Sequence, residues 1–206
     1  MAGSAPQCNM EAPPQDASPP AGDRTPLAWF HDSAFTFYYP DNLEALQAAG
    51  ADLIPVNSLT DTDLPDCCGL YLGGGFPETH AAQLARNKPL QKVVARAARA
   101  GLPIYAECGG LIYLCRSLQW RGKKYSLAGV FPLDLEMHDK PQGHGYMTVS
   151  VDRDNPWFPC GTILKGHEFH YTRAISGSPE ISTSYAVERG CGCFPGRDGL
   201  MIHNTL

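Results

Sequence analysis

The chain has 206 residues, including 21 Gly and 18 Pro, with 43% hydrophobic and 18% charged residues and a formal net charge of −5. That is apolar material for one sizeable core and too little length for two comfortable domains. The acidic balance argues against a nucleic-acid surface or a polybasic membrane patch, and no apolar run approaches the ~18–20 residues of a membrane span.

Residues 1–26 read as a flexible tail or interdomain linker. Six prolines fall there among Ala, Ser, Gly, Gln and Asp, and such a segment buries too little apolar surface to offset its ordering entropy. It has no hydrophobic h-region and carries acids, so it is neither a secretory signal nor a transit peptide. The domain is expected over 27–206. Leu27–His31 reads as a strand, and the aromatic loop Asp32–Tyr39 follows. Pro40 opens a helix through Ala49, stopped by Gly50. Ala51–Val56 is a strand, Asn57–Asp66 a polar turn region, and Cys68–Leu72 a strand running into Gly73-Gly74-Gly75. Glu78–Arg86 and Pro89–Ala100 read as helices, Leu102–Glu107 as a strand, Cys108-Gly109-Gly110 as a turn and Leu111–Leu118 as a helix. Beyond Trp120, alternating strands such as Tyr146–Val151 and Ser182–Val187 sit between Gly and Pro turns. The fold class is therefore α/β: an open, mostly parallel sheet with helices on both faces and an antiparallel extension of that sheet.

Eight cysteines are present with no CxxC, so the spacing matches no zinc pattern and no metal site is expected. Without a signal peptide, a reducing, cytoplasmic setting is expected, and most of these thiols read as small buried hydrophobes. Cys108 stands apart. An apolar strand ends at Glu107, the cysteine follows at once, and two glycines lead into a helix. Glycines permit the tight turn that projects a thiol from the carboxyl edge of a sheet. Backbone N–H groups at the helix start lower its pKa, and the N–H of Gly109 can meet an oxyanion. The loop Gly73–Gly75 is a second strand-to-glycine turn whose N–H groups face a ligand without Cβ obstruction. It lacks GxxxxGK[ST], so it is no phosphate loop. Together the two loops suggest a thiol nucleophile, Cys108, beside an oxyanion hole at Gly74, Gly75 and Gly109.

These residues carry a resemblance. YLGGGFPE and IYAECGGLIYL, preceded by FTFYYPDNLEAL and followed by GHEFHYT, resemble the glutamine amidotransferase domain of the cobyrinic acid a,c-diamide synthase family, of the class I or triad type. The related cobyric acid synthases share AECGG. The resemblance covers nearly all of 27–206 and implies the flavodoxin-like class I amidotransferase fold. It also implies a chemistry in which Cys108 attacks the side-chain amide of glutamine, releases ammonia and forms a glutamyl thioester that water hydrolyses. Glu107, Gly110, His167, Glu168 and His170 are implied to line the site. In the family, ammonia passes to an ATP- and Mg²⁺-dependent synthetase domain that amidates the a and c carboxylates of a corrin precursor. No cofactor is implied in the amidotransferase domain itself.

Two family features are absent from these 206 residues. No P-loop precedes the first strand, so ATP-dependent amidation is expected of a partner domain or subunit. The activating histidine of the family lies in an ASYxHxH strand, and DGLMIHNTL resembles the residues just before it, so the domain is expected to be C-terminally truncated. His203 is the nearby histidine that would have to substitute. The alternation in GHEFHY is read as placing His167 and His170 on one face with Phe169 opposite, and His144 as part of the same cleft rim. His31, His80 and His138 read as surface residues. The competing readings are an amidotransferase serving another tetrapyrrole acceptor (cobyric acid, sirohydrochlorin or a nickel tetrapyrrole) and an inactive amidotransferase-like binding module.

Overall fold

The computed structural model describes residues 24–176 and 181–206. Most of the stretch read as a tail lies outside the described residues. The first half of the chain is a four-stranded parallel sheet. Its strands are β1 (Thr25–Phe30), β2 (Ala51–Val56), β3 (Gly69–Leu72) and β4 (Ile104–Ala106), in the order β2-β1-β3-β4. The crossover through α1 (Pro40–Ala48) steps from β1 outward to β2. The crossover through α2 (Ala81–Arg86) and α3 (Lys88–Arg99) steps from β3 the other way to β4. Right-handed crossovers in opposite directions put their helices on opposite faces of the sheet. They also leave a switch point between β1 and β3, at whose carboxyl edge ligands bind in such sheets.

The α3 helix shows why its sequence folds locally. Asn87 accepts the Leu90 N–H at the N-cap, Pro89 occupies the first turn, and Leu90, Val94, Ala95 and Ala98 form a buried stripe at helical spacing. α1 buries no residue completely, although Leu43 and Leu46 lie half-buried. Under the sheet edge, Phe30, Phe35 and Tyr113 are fully buried and meet edge-to-face at 5.1–6.0 Å between centroids.

Two expectations need correction. The helix read as Leu111–Leu118 is the six-residue α4 (Gly109–Leu114), and Cys115–Trp120 is a strand, β5. Leu111, Leu114 and Leu118 fit helical spacing, but Cys115–Trp120 has strand partners on both sides, and that pairing decides its conformation. The remaining strands are β6 (Lys123–Ser126), β7 (Phe131–Met137), β8 (Gly143–Val151), β9 (Ile163–His170), β10 (Thr172–Ser176), β11 (Ser182–Arg189) and β12 (Arg197–Met201). They do not extend the parallel sheet. They form two further sheets, β10-β7-β5-β6 and β12-β11-β8-β9, antiparallel except for the β5–β7 pair.

One buried carboxylate pins the second sheet. Asp134 on β7 accepts from Arg116 Nε and NH2 at 3.0 and 2.8 Å, from Ser117 Oγ at 2.5 Å and from Ser176 Oγ at 2.9 Å. These charged and hydroxyl donors hold its carboxyl well below the usual carboxylate range. Among the described residues no helix is long and apolar enough to cross a membrane.

Candidate active site

β3 and β4 are neighbours, so their carboxyl ends deliver Gly73–Gly75 and Cys108–Gly110 to one edge of the sheet. Backbone bonds lock the two turns together: Glu107 N–H to the Leu72 carbonyl at 2.8 Å and Gly110 N–H to the Gly73 carbonyl at 3.0 Å. Cys108 turns the chain sharply at φ 47°, ψ −100°. A non-glycine residue there stores on the order of 1–3 kcal/mol of strain, which persists only where the surroundings over-determine it. Here they do. A Cβ on Gly110 would sit 2.6 Å from the Leu72 Cβ and 2.9 Å from its carbonyl carbon, so the elbow packs directly on β3.

The aromatic loop braces the glycine loop from the other side. Phe37 N–H donates to the Gly74 carbonyl at 3.1 Å and Phe76 N–H to the Ala34 carbonyl at 3.0 Å. Tyr38 lies over Gly73, accepting its N–H at 2.9 Å while its own hydroxyl donates to the Phe30 carbonyl. The loop is held in turn by Asp32, which accepts the N–H groups of Ala34 and Ser58 at 2.7 and 2.6 Å. Phe37 and Phe76 pair edge-to-face at 5.0 Å and remain exposed at the rim.

Among the described residues, neither the Gly75 nor the Gly109 N–H has a backbone acceptor. Gly75 N would lie 3.1 Å from a Cβ on Gly109, and the Cys108 Cβ would lie 3.8 Å from a Cβ on Gly74. Gly74, Gly75 and Gly109 therefore come together around Cys108. The Gly75 N–H, with no backbone acceptor, and the Gly109 N–H, which faces the Cys108 sulfur, are donors of the kind that can meet a tetrahedral oxyanion.

The thiol's electrostatics differ from expectation. The Gly109 N–H lowers its pKa as foreseen, but surrounding protein and the nearby carboxylates of Glu78 and Glu107 outweigh it and push the Cys108 thiol up. Attack therefore requires a base. Among the described residues no imidazole is hydrogen-bonded to the sulfur. His203 lies in a tight turn, and its neighbour Asn204 bonds Gly101 and Ile104 at the amino end of β4. Cys108 lies past the carboxyl end, four residues or about 13 Å away along the strand. His203 is at the wrong edge of the sheet to serve.

Glu107 accepts the Tyr71 hydroxyl at 3.1 Å, and burial together with this carboxylate drives the Tyr71 and Tyr105 hydroxyls to higher pKa. Residues 166–170 of GHEFHY lie on β9, in another sheet. Residues 167 and 170 are an odd number apart, so they face opposite sides. Glu168 and His170 point inward, 3.6 Å apart, while His167 shares the exposed face with Phe169. Glu168 accepts the N–H groups of Cys191 and Gly192 at 2.7 and 3.2 Å, tying β9 to the loop before β12. None of the three is hydrogen-bonded to Cys108. His144 packs on Phe169 at 5.3 Å on the same outer face. Of the described cysteines only Cys115 is fully buried; Cys67 and Cys193 are half-buried, and Cys68, Cys108, Cys160 and Cys191 reach the surface, Cys108 with protein packed closely around its sulfur, which corrects the reading of most as buried.

The sequence reading missed Glu78 as a neighbour of the thiol. The signal was present, since Glu78 follows the glycine loop by three residues, but only the packing of Pro77 against Gly109 (3.1 Å to a Cβ there) brings it round.

A family model for CobB/CobQ-like glutamine amidotransferase domains matches residues 26–206. The chain is 43% identical over 175 residues to a cobyrinate a,c-diamide synthase of Magnetococcus marinus, and 40% identical over 181 residues to one of Archaeoglobus fulgidus. Each match covers 85% of this chain and 38% of the relative, so the chain spans under half the length of these curated relatives. Among solved structures it resembles PurLQS from Thermotoga maritima, with a TM-score of 0.66 at 18% identity, covering 88% of this chain and 84% of that one. A glutamine amidotransferase from the same organism superposes with a TM-score of 0.57 at 12% identity, covering 89% and 74%. This chain belongs to the CobB/CobQ-like glutamine amidotransferase domain family.

Proposed function

We propose that this chain hydrolyses glutamine to supply ammonia. The observation that carries the reading is Cys108, held at positive φ on a sheet edge beside the glycine loop, with the Gly109 N–H facing its sulfur and the Gly75 N–H lacking a backbone acceptor. The sulfur attacks the side-chain amide carbon of glutamine, and a C–S bond forms as the carbonyl electrons move onto oxygen. The two N–H groups hold that oxyanion. The thiol proton passes through a base to the amide nitrogen, the C–N bond breaks and ammonia leaves. Water then adds to the glutamyl thioester, releasing glutamate and restoring the thiol.

We assign the base to a histidine of an ASYxHxH strand, as the resemblance implies. The direction of Thr205–Leu206 supports this. The Leu206 N–H donates to the Ile104 carbonyl at 2.9 Å and the Leu206 carbonyl accepts from the Ala106 N–H at 2.8 Å, so the backbone there runs parallel to β4 toward the nucleophile's edge. Ammonia then goes to an ATP- and Mg²⁺-dependent synthetase domain or subunit, which amidates the a and c carboxylates of a corrin precursor. The matched relatives are named cobyrinate a,c-diamide synthase, and this supports the choice of acceptor. No phosphate loop occurs in the sequence, so the ATP step is assigned to that partner. A cytoplasmic location fits this role.

The test is glutamate release with the synthetase partner present, from the 206-residue chain and from one extended by a strand of the ASYxHxH form. The extended chain should turn over and lose activity on Cys108→Ala. Equal inertness of wild type and Cys108→Ala in both forms would leave a binding module instead.

A further inference from the structure

Two carboxylates flank Cys108, and they are not equivalent. Glu107 is engaged by the Tyr71 hydroxyl. Glu78 lies half-buried on the turn Pro77–His80, and among the described residues no lysine, arginine or histidine is ion-paired with it. The ring nitrogens of neighbouring His80 are taken by Ser33 Oγ at 3.0 Å and Thr79 Oγ1 at 2.9 Å. Pro77 packs against Gly109, so Glu78 borders the turn that carries the nucleophile. Burial raises its pKa, and its charge raises that of Cys108. Glu78 has a backbone hydrogen bond and the nearby His80 ring to ease its charge, but half-burial outweighs both, and a carboxylate so placed opposes thiolate formation in the free protein. Its charge becomes favourable when a cation arrives beside it.

We propose that Glu78 binds the α-ammonium of the glutamine substrate and so sets the specificity for an α-amino acid. The assignment rests on the glutaminase reading. The α-nitrogen of glutamine is four bonds from the amide carbon, a span of about 5 Å when extended, so a group bordering the nucleophile's turn is suitably placed. The pairing has a second consequence. An ammonium at Glu78 cancels the negative field on Cys108, so the correct substrate eases ionisation of its own nucleophile.

The test uses thiol alkylation, which needs no turnover; near pH 7, where the ketone's α-amino group is protonated, it proceeds slowly through the small thiolate fraction with no enzymic base. The chloromethyl ketone analogue of glutamine alkylates Cys108 as a C–S bond forms, a C–Cl bond breaks, chloride leaves and the thiol proton goes to solvent. Its rate is compared with that of the same ketone lacking the α-amino group, and with iodoacetamide, by mass spectrometry. Wild type should prefer the amino ketone by about 10–100-fold, the range expected for a charged hydrogen bond. Glu78→Gln should bring that ratio near one, and Glu78→Asp should keep part of it. Iodoacetamide should react faster with Glu78→Gln than with wild type, because a negative charge has gone; an unchanged Tm in Glu78→Gln and the part of the preference kept by Glu78→Asp distinguish loss of the charge from a misfolded site. Retention of the preference in Glu78→Gln overturns the proposal. Absence of a preference in wild type also overturns it. Protection of Cys108 from iodoacetamide by glutamine then separates the cases: protection leaves the glutaminase reading standing, and no protection removes both.

Discussion

Substituting Gly75 by alanine tests the bracing of the two loops at the candidate site. An added Cβ would lie 2.9 Å from the Ala34 carbonyl carbon and from the Phe35 Cα, and nearer still to the Ala34 oxygen. Non-bonded carbons settle near ~3.5–4.0 Å, so the loops must part by roughly 1 Å. Overpacking of this kind costs about 1–3 kcal/mol. The separation also strains the Phe76–Ala34 and Phe37–Gly74 backbone bonds, each contributing about 1 kcal/mol. A total of about 2–4 kcal/mol corresponds to a Tm lower by roughly 5–15 °C for a domain this size. Displacing an oxyanion donor by that distance should lower glutamine turnover on the order of 10²-fold. A Cβ on Gly74 comes no nearer than 3.2 Å to its neighbours, the Phe37 side chain and the Cys108 Cβ, and one on Gly166 meets nothing within 4 Å, so the order of destabilisation in thermal melts should be 75 above 74 above 166. Equal melting of Gly75→Ala and Gly166→Ala would refute the loop contact.

Three further outcomes follow from the charges. The rate of Cys108 alkylation by iodoacetamide should titrate above the ordinary thiol value, and Glu107→Gln should move that midpoint down; an unmoved midpoint would contradict the assigned cause. Asp134 has a depressed pKa. The folded form therefore binds fewer protons, and its contribution is complete above the usual carboxylate range and lost as pH falls. Asp134→Asn should lower stability at pH 7 and flatten the acid limb of a denaturation series. Glu168→Gln should loosen the Cys191–Gly192 loop, read as faster amide exchange at those two N–H groups, with little change at β4.

The first half of the fold was legible because its elements are local. Strands β1 to β4 are short apolar runs ended by Gly or polar turns, and α3 carries its own cap and stripe. The elbow was legible because Gly109 and Gly110 have a single steric reason to follow Cys108 there. The second half was not, since β5 reads as helix until its partners β6 and β7 are in place. The two extra sheets depend on pairings between distant segments, which alternation alone does not assign. At the site, the raised thiol pKa was missed because it comes from burial and from Glu78 and Glu107 across space. The opposite faces of His167 and His170 needed only the two-residue period, applied strictly.

The most direct measurement is acid quenching of the chain extended by an ASYxHxH strand during turnover of isotopically labelled glutamine, followed by peptide mass spectrometry. A glutamyl adduct on Cys108, absent from Cys108→Ala, is the predicted result. Labelled glutamate formed at the wild-type rate by Cys108→Ala, or an adduct on another cysteine, would contradict the account.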